Sequence, residues 1–180
     1  MLLGIHSVGN DLNPVANVVA RERTRARTTI QAAKTVAEVK RIAGLVEALR
    51  KEKHPPRFES PRMAEIVPHY APHLLAELAQ WMRLIDRLPR DPEPAAAVRD
   101  TLRAVFSAAV VKYSNQKSDS QPDGDPVAPT VPKGAVSRFL IAKCEELTRA
   151  QTSLAIRLPK PAPTVRLLQE DARLLPSLGW

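Results

Sequence analysis

Two carboxylates stand where acids do chemistry in nucleotide-binding sheets. Asp11 ends the run "GIHSVGND", which reads as a short buried strand over Gly4 to Asp11, with Ile5 and Val8 apolar and Gly9 allowing close approach. Asp171 ends "TVRLLQED", a second strand whose alternate residues Val165 and Leu167 face one way. In doubly wound sheets ligands lie beyond the carboxyl ends of the strands. There, an acid at one strand tip accepts hydrogen bonds from both ribose hydroxyls, and an acid at a neighbouring tip can accept from an adenine amino group. The simpler alternative for either residue is a turn or cap.

Other combinations of reactive side chains are sparse. His69 and His73 have helical spacing, but no third ligand accompanies them and Pro68 and Pro72 interrupt the segment, so a metal site is not expected. Ser107, Ser114 and Ser118 have no nucleophile-elbow context. The single cysteine, Cys144, excludes an internal disulfide and reads as helix packing. Trp81 falls on an apolar stripe and reads as core. Tyr113, Ser114, Asn115 and Lys117, at a helix end leading into a loop, have the types to contact a nucleic-acid strand by stacking and polar groups, with polar capping as the plainer alternative.

The elements that must position these groups are mostly helical. The chain of 180 residues is 44% hydrophobic and 26% charged, enough for one ordinary core, while 17 prolines require interrupted helices. Asn13-Pro14 has the chemistry of a helix start, an N-cap acceptor followed by a residue with no N–H to satisfy. That first helix runs through Val15, Val18 and Val19. Later stripes are Val39, Ile42, Val46, Leu49; then Leu74, Leu78, Trp81, Ile85, Leu88; then Val98, Leu102, Val105, Ala109, Val110; and finally Val136, Phe139, Leu140, Leu147, Leu154. Pro55 and Pro56 stop the first of these stripes, and Pro89 the second. Residues 116–134 have no period and many turn formers, and predict a flexible loop, while Pro159, Pro161 and Pro163 form a stiff linker.

Formal charge is +8, and its distribution is uneven. Residues 1–54 hold ten Lys/Arg against five Asp/Glu, and residues 112–161 hold eight against five. The excess centres on Arg21, Arg23, Arg25 and Arg27, and on Lys112, Lys117, Lys133 and Arg138, clustering that suits phosphate neutralisation as well as a solvated helix face. No apolar run approaches a bilayer span and the first residues lack a secretory pattern, so no membrane association and a cytoplasmic location are expected.

With these residues in view, "LLGIHSVGNDLNPVANVVARERT" resembles a sheet strand and following helix of bacterial DNA amino-methyltransferases, where a strand ends in "G-x-D-x-N-P" before an arginine-rich helix. The stretch "VRLLQEDARLLPSLGW" resembles the same family's "D-A-R-x-L-P" strand, matched at Asp171, Ala172, Arg173 and Pro176. The middle stretch "LRAVFSAAVVKYSNQKSDS" is similar to an inserted helix and loop in some DNA methylase-like proteins. The resemblance implies that Asp11, Asn13, Asp171 and Ala172 hold S-adenosylmethionine in the complete enzyme. It also implies that Lys112, Ser114, Asn115, Lys117 and Arg138 contact DNA. The fold expected is an α/β fragment, mostly helical: two Rossmann-like strands near the termini, partial cores at 1–29 and 161–180, flank a helical insertion at 30–160.

The family also carries a Gly-rich "F-x-G-x-G" loop before the first strand and a catalytic "D/N/S-P-P-Y/F" after the second. Neither is in this sequence; "HPPR" at 54–57 is basic and lacks the aromatic. Methylation of an exocyclic amino group needs a flipped base stacked and hydrogen-bonded by that catalytic segment. The expectation is therefore a DNA methyltransferase fragment inactive by itself, or one half of a split enzyme whose partner chain supplies the missing motifs. The alternative is a non-enzymatic helical module that binds DNA or protein.

Overall fold

The computed structural model describes residues 3–51, 67–90, 95–115, 131–171 and 173. Five helices lie between two short strands: β1 (Ser7–Asn10), α1 (Pro14–Thr24), α2 (Thr29–Lys51), a 3₁₀ turn (Val67–His69), α3 (Pro72–Arg87), α4 (Ala95–Tyr113), α5 (Ala135–Arg157) and β2 (Val165–Leu168).

Three helix starts have a visible cause. Asn13 caps α1 through its side-chain oxygen, which accepts from Val15 N at 2.9 Å, with Pro14 in the first turn. Thr28 and Gln31 form a capping box before α2: the Thr28 hydroxyl accepts from Gln31 N at 3.2 Å, and Gln31 Oε1 accepts from Thr28 N at 2.9 Å. Helix α5 lacks a cap of its own, because Gly134 stands at the N-cap with φ 77°. The buried carboxylate of Glu77 on α3 replaces it, accepting from Gly134 N (3.1 Å), Ser137 N (2.8 Å) and the Ser137 hydroxyl (2.6 Å). A carboxylate there also complements the positive end of the helix dipole.

The predicted stripes form one core. Val39, Ile42 and Val46 of α2 meet Leu74, Leu78, Trp81 and Ile85 of α3, Leu102, Val105 and Ala109 of α4, and Val136, Leu140 and Cys144 of α5. Trp81 is fully buried and donates its indole N–H to Ser137 Oγ at 3.0 Å, so the ring fills the core while its polar atom is satisfied. Cys144 is likewise fully buried, which pushes its thiol up to about 12. It packs, as its place on the stripe predicts.

β1 and β2 pair in parallel, Ser7 opposite Val165 through Asn10 opposite Leu168. Parallel strands cannot be joined by a tight turn, and here the helical block is the crossover. Gly9 lies opposite Leu167, and a Cβ there would come within 3.1 Å of Leu167 Cδ2, the close approach expected of this glycine. Beyond the ladder, Asp11 N donates to Leu168 O (3.2 Å), and the Asn10 amide both donates to Glu170 O and accepts from Glu170 N, each at 3.0 Å.

Three expectations are corrected. The first strand is four residues long rather than Gly4 to Asp11, and it is not buried: Ile5 is 61% and Val8 46% exposed. Among the described elements α1 packs against β2 rather than β1 in this two-stranded sheet. On α5 the buried positions in the second half are Thr148 and Gln151, while Leu147 and Leu154 are half-buried, because a polar cluster continues the core there. Of the loop expected over 116–134, residues 116–130 lie outside the described residues, and 131–134 lead into α5 through a turn closed by Ala135 N to Pro132 O at 3.2 Å. The "HPPR" stop also lies outside them, and α2 ends at Lys51.

Candidate functional site

The parallel pairing brings Asp11 and Asp171, 160 positions apart in the chain, to the same end of the sheet. Asp11 follows β1 directly and is exposed. Its Oδ1 accepts from Asn13 N at 2.8 Å, an Asx turn that feeds the Asn13 cap, and its Oδ2 has no hydrogen-bond partner among the described residues. The "D-x-N-P" spacing thus couples a strand tip to a helix start and leaves one carboxylate oxygen open beside the first turn of α1, which carries no acidic side chain. The same backbone is held from below, since the Asn17 amide donates to Asp11 O at 2.6 Å. Of the four residues expected at this site, Asp11, Asn13 and Asp171 stand at this end; Ala172 lies outside the described residues.

Asp171 is partly buried and engaged locally. Its Oδ1 accepts from Arg173 N at 3.0 Å, and the Arg173 guanidinium closes on both oxygens, with Nη2 2.5 Å from Oδ2. These bonds hold the Asp171 carboxyl below the usual carboxylate range. The Arg173 side chain is 88% exposed, so its contact is weak and exchangeable; an exposed pair is worth about 0–1 kcal/mol.

The second expected cluster divides. The ends of α4 and α5 meet where the Tyr113 hydroxyl donates to Ala135 O (2.9 Å) and its ring packs edge-on against Phe139, centroids 5.9 Å apart. Lys112 Nζ lies 5.0 Å from the centre of the same Phe139 ring, while exposed Arg138 reaches back to Lys133 O at 3.4 Å. Tyr113 itself is buried, which removes it from base stacking and raises its hydroxyl pKa by desolvation. Ser114 and Asn115 are half-buried and fix the chain through their backbones, Ser114 N to Val111 O (3.4 Å) and Asn115 N to His69 O (2.7 Å). Lys117 lies outside the described residues.

The arginine run at the end of α1 divides: Arg21 and Arg23 are exposed, Arg25 is half-buried and Arg27 points inward. Arg27 is buried, donating to Thr35 Oγ1 (2.5 Å), Ala97 O (3.1 Å), Thr101 Oγ1 (2.7 Å) and Glu22 Oε2 (3.0 Å). Glu22, fully buried, also receives Thr101 Oγ1 (2.6 Å), Gln151 Nε2 (3.2 Å) and Arg25 Nε (2.7 Å). Arg21 and Arg25 each stand 3.5 Å from Asp100. Arg21, Arg25 and Arg27 are therefore engaged by acids that tie α1, α2, α4 and α5 together, and of the four only Arg23 is exposed without an ion pair among the described residues. The signal was in the sequence: Thr101, Thr148 and Gln151 interrupt apolar stripes on α4 and α5, and polar groups on a buried stripe require a buried partner.

The histidine pair is separated in role. His73 Nε2 lies 2.8 Å from Val131 O, and the His69 carbonyl receives Asn115 N. No group of three or more His, Cys, Asp or Glu among the described residues is arranged to hold a metal ion. Nor is any helix among them long and apolar enough to cross a membrane. Compared with protein-family models, curated proteins and solved structures, the chain matches none.

Proposed function

We propose that this chain is the cofactor-holding part of an S-adenosylmethionine-dependent DNA amino-methyltransferase. One observation carries the reading: two strands from opposite ends of the sequence pair in parallel as neighbours, so that the two acids matched to the family's cofactor motifs share one end of a sheet. A doubly wound sheet binds nucleotides at that end. Asp11, with its free Oδ2 beside the start of α1, accepts from the ribose hydroxyls; Asp171, released by Arg173, accepts from the adenine amino group. Asn13 fixes the turn on which Asp11 rides. S-adenosylmethionine supplies the methyl group when bound. Transfer to a base needs a catalytic segment of the P-P-Y kind, which these 180 residues do not contain, so this polypeptide alone holds the cofactor and does not turn it over.

Equilibrium binding of radiolabelled S-adenosylmethionine to the chain tests the reading. Label displaced by S-adenosylhomocysteine and weakened about tenfold or more by Asp11→Ala and by Asp171→Ala is expected, since each removes a charge-assisted hydrogen bond worth roughly 1.5–3 kcal/mol. Equal retention by the wild type and both variants would count against it. A second reading, a helical nucleic-acid-binding module without cofactor, is favoured by exposed Lys112 over the Phe139 ring, with exposed Arg138 on the same helix as that ring. It requires DNA binding that falls on Lys112→Glu and Arg138→Glu and no uptake of S-adenosylmethionine.

A further inference from the structure

A cleft of about 960 Å³ opens at the far end of α1 from the strand tips. Eleven helical residues separate the two, a rise of about 16 Å. The first half of α2 forms one wall, with Lys34, Glu38 and Arg41; the end of α3 and start of α4 form the other, with Arg87 and Val98. Among the described residues five cations line it against one carboxylate, Glu38, and Arg41 grips that carboxylate through both oxygens at 2.7–2.8 Å. Arg25 and Arg27 face Glu22 and Asp100 behind the wall. Lys34 and Arg87 differ: both are exposed, and neither makes an ion pair or hydrogen bond with any described residue.

Two further features favour a negative group. Helices α2 and α4 both begin at the cleft, and neither carries an acid in its first turn, so two positive helix ends lack a counter-charge from their own helix. The lining between the cations is apolar, from Ile30, Leu88, Pro89 and Val98, and Ile30 is 68% exposed at the mouth. The volume is that of a small-molecule site and the lining is amphipathic.

We propose that this cleft binds a small phosphate ester of the nucleotide class, its phosphates between Lys34 and Arg87 and its planar apolar body over Ile30 and Val98. The site is separate from the strand tips and does not depend on the methyltransferase reading. A continuous nucleic-acid backbone is the less suitable occupant, since it is served by a convex or open basic face, whereas this is a recess with an apolar floor.

Calorimetric titration of the full chain with ATP, with pyrophosphate and with a 20-base-pair duplex decides the matter. The expected result is saturable binding of ATP and weaker binding of pyrophosphate that competes with it. Lys34→Glu and Arg87→Glu each reduce ATP affinity about tenfold or more, as loss of a charge-assisted bond does, and Arg157→Glu on α5 leaves it unchanged. Both cleft positions are exposed, and unaltered circular dichroism of the variants confirms their folding. No saturable ATP binding, or binding indifferent to Lys34→Glu and Arg87→Glu, overturns the proposal. Duplex binding that falls with these variants while ATP fails to compete also overturns it, and assigns the cleft to a nucleic-acid backbone. S-adenosylmethionine binding sensitive to Asp11→Ala but not to Lys34→Glu separates this site's failure from that of the strand tips.

Discussion

Glu22 and Val8 mark the two contrasting regions of the molecule. Glu22 of α1 is completely buried with partners from the α1–α2 connector, α4 and α5, while Val8, within β1, is 46% exposed on a sheet with two strands. The helical block closes on itself, its apolar stripes interlocked and its buried charges compensated. The sheet end is held by a four-residue ladder and by side-chain bonds from Asn10 and His6. Stability therefore resides in the block, and the strand tips are carried by it as a rigid mount carries an open edge. Regions that bind ligands are commonly the less buried part of a fold set on a well-packed scaffold.

The sharpest way to break this contrast is at Glu22. Glu22→Ala leaves the Arg27 guanidinium buried without its carboxylate, and a destabilisation of about 3–5 kcal/mol is expected, read as a lowered urea midpoint. A loss below about 1 kcal/mol would show that the network is not what joins α1 to the block. Glu77→Ala removes the substitute cap of α5 and strands the Gly134 and Ser137 amides; about 2 kcal/mol is expected from the same unfolding curves. Asn13→Ala removes the α1 cap at the sheet end and should cost about 1 kcal/mol. Val8→Thr, in the exposed strand, should stay within about 0.5 kcal/mol of wild type, and a larger loss would mean that β1 is covered in solution.

The smallest effect is set by pH. Arg173 lowers the Asp171 pKa below its ordinary 3.8, so the pair's contribution is present above that value and is lost as pH falls through the lowered one. In Asp171→Asn that small contribution is lost at neutral pH, and the acid limb of the stability profile becomes slightly shallower below pH 3.8, where the variant and the wild type converge. Because the pair is exposed, a strong change at pH 7 would indicate a role for Asp171 in the fold beyond Arg173.

Much of the helical block was legible because its signals are local. Period and proline position place α2 to α5, and Asn13-Pro14 states both the cap and the first turn of α1 in two residues. Trp81 and Cys144 sit where their stripes predict. The arginine run was not legible in the same way: a spacing of two gives Arg21, Arg23, Arg25 and Arg27 the look of a surface patch. Arg21, Arg25 and Arg27 are engaged by Glu22, Asp100 and Thr101, partners up to 79 positions away, while Arg23 stays exposed. The exposure of Ile5 and Val8 was illegible for a related reason, since alternation says which residues can be covered, not whether a second layer covers them. At the candidate site, Asp11 and Asp171 were recognisable singly as strand-end acids. Their meeting at one end depends on a parallel pairing across 158 residues, which no local pattern encodes.

Hydrogen–deuterium exchange with and without S-adenosylhomocysteine tests the central claim most directly, because it reports where the ligand sits. Slowed exchange is predicted in peptides covering residues 9–15 and 167–171, with the α2 and α5 core peptides unchanged and the slowing abolished by Asp11→Ala. Unchanged exchange at both strand tips, or protection confined to the α2–α4 cleft, would contradict the assignment of the sheet end as the cofactor site.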